Sequence, residues 1–246
     1  RSVLRDNKGK VILELASPDL TRLYEAGWKM PEPFTVKAAD GHTDLYGFMW
    51  KPFDFDSTRR YPIISYVYPG PQTEAIPLEF SVTAAYNVGL AQVGFVVVTF
   101  GHRGGSPMRD KWYHTFGYNN LRDYPLADDK CGIEQLADRF SFIDKSKVGI
   151  FGHSGGGFMS TAALCTYPDF YTAAVSSAGN HDNNIYNQWW GETHHGVREV
   201  KSFEKKTVKD SITGKDTTVS VEKIKFETKI PTNIELAKNL KGYLML

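Results

Sequence analysis

Four glycines crowd one serine in the stretch KVGIFGHSGGGFMS, Lys147 to Ser160. An apolar run reaches Phe151, and a run with helical character opens at Gly155. Gly152-His153-Ser154-Gly155-Gly156 fits the pattern G-x-S-x-G, which has a physical meaning at a strand-to-helix junction. A serine on so sharp a turn is held in strained backbone geometry with its hydroxyl aimed out of the sheet. Side chains two residues before and after it would collide, so glycine is wanted at both places. The context restricts the fold to one in which a strand hands over directly to a helix. The other reading of these residues is a glycine-rich turn with an idle serine.

The rest of the chain keeps the same rhythm. Strands are expected in HTDLYGFMWKP, YPIISYVYPGP, FVVVTFGHRGG, KVGIF, TAAVSS and, at the end, YLML. The run FVVVTF is of the kind that fills a sheet covered on both faces. Helices are expected in Ser17–Pro33 with Ser17 as N-cap and Pro18 behind it, in Phe80–Gly94, Asp123–Phe140, Gly155–Tyr167 and Pro231–Gly242. Strands alternating with helices mean a largely parallel sheet with helices on both faces. Two short β runs flank a turn between Ser2 and Leu15. Residues 198–229 are rich in Lys, Glu and Thr and alternate around a TGKD turn, which predicts a surface β-hairpin inserted into the fold, its charges forming a solvated face.

Bulk properties narrow the function classes. The 246 residues carry a net charge of about +1, so nothing electrostatic points to nucleic acid or an anionic membrane surface. No apolar run approaches the roughly 18 residues of a membrane span. Cys131 and Cys165 are too few for a disulfide framework and lack metal-site spacing, so they are expected to be buried free thiols.

If Ser154 is a nucleophile, the backbone N–H of Gly155 is an oxyanion donor. Tyr68, at the end of the strand expected beside the nucleophile strand, is either a second donor or a tyrosine capping a strand end. In this kind of fold the acid and then the histidine follow the serine along the chain. Asp169 lies at a helix end, and Asp210 and Asp216 fall in the hairpin. None of His181, His194 and His195 sits in a loop after a late strand. One arrangement inside the chain stays open: Asp182 after TAAVSS, with His194 or His195. A metal cluster from His181, Asp182, Glu192, His194 and His195 matches no ligand spacing.

YPIISYVYPGP, VVVTFGHRGG, IDKSKVGIFGHSGGGFMS and LKGYLML together resemble the catalytic domain of the prolyl oligopeptidase family, and most closely its dipeptidyl peptidase IV branch. The resemblance covers roughly Trp28 to Leu246, apart from the hairpin. It implies an α/β-hydrolase fold, truncated at its C-terminal end. It assigns residues 28–246 to an incomplete catalytic domain and residues 1–27 to the end of a preceding β-propeller and a return linker. It implies Ser154 as nucleophile, Tyr68 and Gly155 as oxyanion donors, and no cofactor or metal. The acid and histidine are then expected beyond Leu246. The segment after TAAVSS would supply aromatic walls for a pocket that holds a proline ring, through Tyr186, Trp189 and Trp190; alternatively, Trp189 and Trp190 pack in a core or a domain interface. The arginines of HRGGSPMR are expected to tie loops together.

The activity this implies is a serine peptidase that releases N-terminal dipeptides with proline second. Another acyl hydrolase, such as an acylaminoacyl peptidase or an esterase, and a non-catalytic interaction module remain alternatives. Expected partners are a peptide substrate, the rest of the same protein (propeller and C-terminal segment) and a second copy in a homodimer. The resemblance suggests a periplasmic or secreted location.

Overall fold

The computed structural model describes residues 1–71 and 73–246. Strands β1 (Ser2–Arg5) and β2 (Val11–Ala16) pair as an antiparallel hairpin apart from the main sheet. A five-residue helix α1 (Thr21–Glu25) follows. It starts later than Ser17 because the Asp19 carboxylate takes the N–H and hydroxyl of Thr21 at 2.9 and 2.6 Å, which turns the chain there.

The main sheet is built from β3 (Glu32–Lys37), β4 (Asp44–Trp50), β5 (Tyr61–Tyr66), β6 (Val96–Phe100), β7 (Ile143–His153), β8 (Tyr171–Ser177) and, after the hairpin described below, a short last strand, Tyr243–Met245. The order across the sheet is that last strand, then β8-β7-β5-β6-β4-β3. All neighbours from β8 to β6 run parallel, as does the last strand on β8, whereas β4 pairs antiparallel with both β6 and β3. Strand β3 overlaps the end of the helix that the sequence predicts over Ser17–Pro33. Pro33 is tolerated because β3 is the edge of the sheet, where a missing N–H breaks no inner ladder.

Helices α2 (Asn87–Gln92), α3 (Lys111–His114), α4 (Leu126–Arg139) and α5 (Gly155–Thr166) accompany these strands. Strand β6 shows how the layers form. Its five residues are all buried, with Val96, Val98 and Phe100 facing a core shared with Leu126, Ile133, Leu136, Met159 and Ala162 of α4 and α5. Val97 points the other way, onto Ala91, Val88 and Leu90 of α2. Helix α2 is shorter than the pattern of Phe80–Gly94 suggests, because Ala84 and Ala85 stand in left-handed backbone, φ +44° and +58°, which no helix accommodates.

After β8 comes α6 (Gln188–His194), then the long hairpin β9 (Arg198–Lys209) and β10 (Asp216–Glu227). It is a two-stranded sheet of its own, solvent-exposed along nearly all its length. The segment before the last strand, β11 (Tyr243–Met245), is a 3₁₀ turn over Ile234–Asn239 rather than the expected α-helix. The whole is an α/β-hydrolase fold with a mostly parallel central sheet. Among the described residues, no helix is long and apolar enough to cross a membrane.

Candidate active site

Three parallel strands, β5, β7 and β8, end side by side, and the residues that follow them meet at Ser154. The serine sits between the last residue of β7 and the first of α5 with φ +55° and ψ −117°. A non-glycine residue held there carries strain of roughly 1–3 kcal/mol. The fold holds it in place from both sides: Ser154 N–H donates to the Ser177 carbonyl at 2.8 Å, and the Ser154 carbonyl accepts from Phe158 N–H at 3.0 Å.

The glycines around it are explained by contact. A Cβ on Gly152 would lie 2.3 Å from the Val67 carbonyl oxygen and 2.6 Å from the backbone of Gly156. One on Gly157 would meet the Ser177 carbonyl at 2.6 Å. The elbow is thus packed backbone against backbone on the ends of β5 and β8. Val67 N–H continues the ladder beyond β5 by donating to Phe151 O at 2.9 Å, which brings the next residue, Tyr68, to the serine's side of the sheet.

Ser154, Gly155 and Tyr68 line one small cavity of about 110 Å³. Tyr186 and Trp190 line it too, ring edge to ring face, with centroids 5.9 Å apart and planes at 88°. Trp190 is placed by helix α6, whose N-cap Asn187 accepts from Trp190 N–H at 3.3 Å. Trp189, one position along the same helix, does not join the cavity: it points to solvent, 68% exposed. Successive residues on a helix face directions about a third of a turn apart, so only one of the two can face the serine. Trp190 also packs against a small buried cluster of Leu121, Tyr124 and Ile230.

Sequence reasoning missed Leu121, Tyr124, Phe158 and Asn180, which complete the cavity wall with Pro69, Gly70 and Pro71. Asn180 follows β8 at the carboxyl end of a parallel strand, where ligands of such sheets bind. No comparable signal marks Leu121 and Tyr124, which the approach to α4 brings in from elsewhere in the chain. Burial pushes the Tyr124 phenol well above its ordinary range, helped by the nearby Glu74 carboxylate.

Among the described residues, none of the histidines after Ser154 makes a hydrogen bond with its hydroxyl. Asn233 Nδ2 donates to Phe158 O at 2.8 Å, and it also faces His181 Nδ1 at 3.0 Å, which fixes that nitrogen as acceptor. His181 Nε2 then carries the proton and faces Ser176 Oγ at 3.5 Å. His194 packs edge-on against Trp190, 5.2 Å between centroids, and His195 is buried with Nδ1 accepting from Leu121 N–H at 3.4 Å. The Asp182 carboxylate is occupied by Asn184, through its backbone N–H and its amide at 2.9 and 2.8 Å. Both of these bonds fall on Asp182 Oδ1, and among the described residues no hydrogen bond joins Asp182 to His194 or His195, so the structure does not show the two paired as acid and base. Among the described residues, no group of three or more His, Cys, Asp or Glu could hold a metal ion.

The arginines of the loop after β6 tie loops together. Arg103 grips Asp128 with Nη2–Oδ1 at 2.7 Å and Nε–Oδ2 at 3.0 Å, and it reaches Asp40 at 3.1 Å. Arg109 donates to Asp44 O at 2.9 Å and lies over the rings of Tyr46 and Tyr113.

The geometry has counterparts among known proteins. Residues 80–212, more than half of the chain, match the model of the prolyl oligopeptidase family. Human dipeptidyl peptidase 8 is 34% identical over 149 residues, which is 60% of this chain and 16% of that protein. A solved structure from Bacteroides ovatus, named as a dipeptidyl aminopeptidase IV, superposes with a TM-score of 0.68 at 29% identity, covering 79% of this chain and 27% of its own. Dipeptidyl peptidase 4 of Porphyromonas gingivalis shares the fold, with a TM-score of 0.72 at 22% identity over 98% of this chain and 30% of its own. The 246 residues thus span less than a third of the length of each of these relatives. The chain belongs to the prolyl oligopeptidase family, in its dipeptidyl peptidase IV-like branch.

Proposed function

We propose that this chain is the nucleophile-bearing part of a serine peptidase that removes dipeptides from peptide N-termini, with proline preferred at the second position. One observation carries the reading: a strained Ser154 at a strand-to-helix junction opens into the same small cavity as Tyr68, Gly155, Tyr186 and Trp190. Ser154 Oγ attacks the scissile carbonyl carbon. The negative charge that develops on the carbonyl oxygen is met by the Gly155 N–H and the Tyr68 hydroxyl, a reading supported by their shared cavity with Ser154. The peptide C–N bond then breaks to leave an acyl-enzyme, and water releases the dipeptide. Tyr186 and Trp190 form two apolar walls suited to a compact ring.

The mechanism needs a base for the serine proton. None of His181, His194 and His195 is hydrogen-bonded to Ser154 among the described residues, and in this proposal base and acid come from outside residues 1–246. It likewise assigns residues 1–27 to the end of a propeller and its linker, and residues 28–246 to the catalytic domain. Grip on the substrate's free amine falls to other parts of the protein.

The test is a fluorophosphonate probe on the complete protein, followed by peptide mapping. Label on Ser154, lost in Ser154→Ala, supports the nucleophile. Label elsewhere, or none on a folded protein, rejects it. Among labelled protein, turnover of dipeptide-Pro amides but not acyl-amino-acid amides supports dipeptide release; the reverse preference makes this an acylaminoacyl peptidase.

A further inference from the structure

The loop that carries Tyr68 is fastened at its far end by a bond that the chemistry above does not use. The loop leaves β5 at Val67 and folds back on itself between Gly70 and Thr73, whose N–H and C=O groups exchange two hydrogen bonds of 3.2 Å. The next residue, Glu74, accepts a short hydrogen bond from the hydroxyl of Tyr113. Among the described residues, this is the side-chain bond that joins residues 68–79 to the rest of the chain.

Tyr113 is an anchor that does not move easily. It is fully buried in the main core. Its N–H donates to the Asp110 carboxylate at 2.9 Å, its carbonyl accepts from Gly104 N–H at 2.7 Å, and the Arg109 guanidinium lies 4.1 Å from its ring centre. Space for Glu74 is provided by two glycines of the loop after β6. A Cβ on Gly105 would lie 2.5 Å from Glu74 Cγ, and one on Gly101 would lie 2.9 Å from both Glu74 Oε1 and the Tyr113 hydroxyl. This gives Gly101 and Gly105 of GHRGG a purpose that the sequence alone leaves unexplained. Burial, together with the Glu74 carboxylate, keeps the Tyr113 phenol protonated far above its ordinary range, so it remains a donor at any physiological pH.

We propose that Tyr113 and Glu74 are positioning residues: their hydrogen bond sets the loop that holds Tyr68 against the Ser154 cavity, so that the phenol of Tyr68 meets the oxyanion as it forms. The inference rests on the oxyanion role of Tyr68. Neither Tyr113 nor Glu74 lines the cavity, so their effect is on the placement of a donor and falls on kcat rather than on KM.

A double-mutant cycle in the complete protein tests it, with thermal unfolding measured for every variant. Tyr68→Phe alone lowers kcat by roughly 10²–10³-fold. Tyr113→Phe alone lowers kcat by roughly 10–100-fold with KM within about threefold, since a misplacement near 1 Å costs on that order. The double variant is no worse than Tyr68→Phe, because a positioned group that is already absent cannot be lost again. Glu74→Gln keeps an acceptor for Tyr113 and stays within about threefold of the parent, while Glu74→Ala matches Tyr113→Phe. Losses that multiply in the double variant overturn the positioning role and leave the Tyr68 assignment intact. So does an unchanged kcat in Tyr113→Phe, or a Glu74→Gln as damaged as Glu74→Ala. A Tyr68→Phe with normal kcat overturns the oxyanion assignment and this inference with it.

Discussion

The Cβ atom that Gly156 lacks would sit 2.0 Å from the carbonyl oxygen of Val67. That carbonyl belongs to the residue before Tyr68, so the two halves of the candidate oxyanion site touch through backbone with no side chain between them. Gly156→Ala must push β5 and α5 apart, because neither backbone can rotate away as a side chain would. The cost is expected to reach about 3 kcal/mol or more, at the upper end for overpacking. That lowers Tm by roughly 6–12 °C for a domain of this size. Calorimetry on the variant checks it, and an unchanged Tm would mean that the elbow is looser than described.

Gly89 offers the opposite case. It stands exposed in α2, with nothing within 4 Å of the Cβ position and no left-handed φ. Glycine in a helix is disfavoured against alanine by roughly 0.5–1 kcal/mol. Gly89→Ala is therefore expected to raise Tm by roughly 1–4 °C without touching activity. A lowered Tm would show that α2 is packed against something at this position.

The fold was largely legible in the sequence, because its signals are local. The apolar run of β6, the glycines around Ser154 and the alternation of residues 198–229 each announce their element without reference to anything distant. What stayed hidden depended on partners far along the chain. Pro33 reads as a breaker until β3 is known to be an edge strand. Ala84 and Ala85 look helical, and only the strained turn they make before α2 says otherwise. At the site, Ser154 and its glycines were readable from one stretch. The choice between Trp189 and Trp190 was not, because it depends on the phase of a short helix set by Asn187. Leu121 and Tyr124 carried no signal, since their place at the cavity comes from the path of the chain into α4.

His181 makes stability depend on pH. Burial holds its pKa below the ordinary histidine value, and its Nδ1 must stay unprotonated to accept from Asn233. Below about pH 6.5 the unfolded chain takes up this proton while the folded state resists. Stability is thus full above that pH and falls as pH drops through the lower, folded-state value. Asn at position 181 keeps an acceptor near the place of Nδ1 and cannot titrate. His181→Asn is expected to flatten urea-unfolding stability between pH 7 and pH 5, with proton uptake on unfolding reduced by up to about one. An identical pH slope in both proteins would remove His181 from the account.

Trp190 and Trp189 separate the cavity from the surface on one helix. Trp190 and Tyr186 touch edge to face in the wall of the cavity that Ser154 lines, whereas Trp189 stands mostly in solvent. Truncating an apolar wall that a bound ring would cover loses roughly 1.5–3 kcal/mol of burial. Trp190→Ala is therefore expected to lower kcat/KM for dipeptide-Pro amides by about 10–100-fold. Trp189→Ala should stay within about threefold, because the side chain it removes has little to desolvate. Trp190 also leans on Leu121, Tyr124 and Ile230, so its loss lowers Tm as well. Kinetics measured well below the transition of each variant keep that effect apart from substrate binding. Equal losses in the two variants, or a larger one at Trp189, would mean that the ring of the substrate lies against the outer face of α6 and not in the cavity beside Ser154.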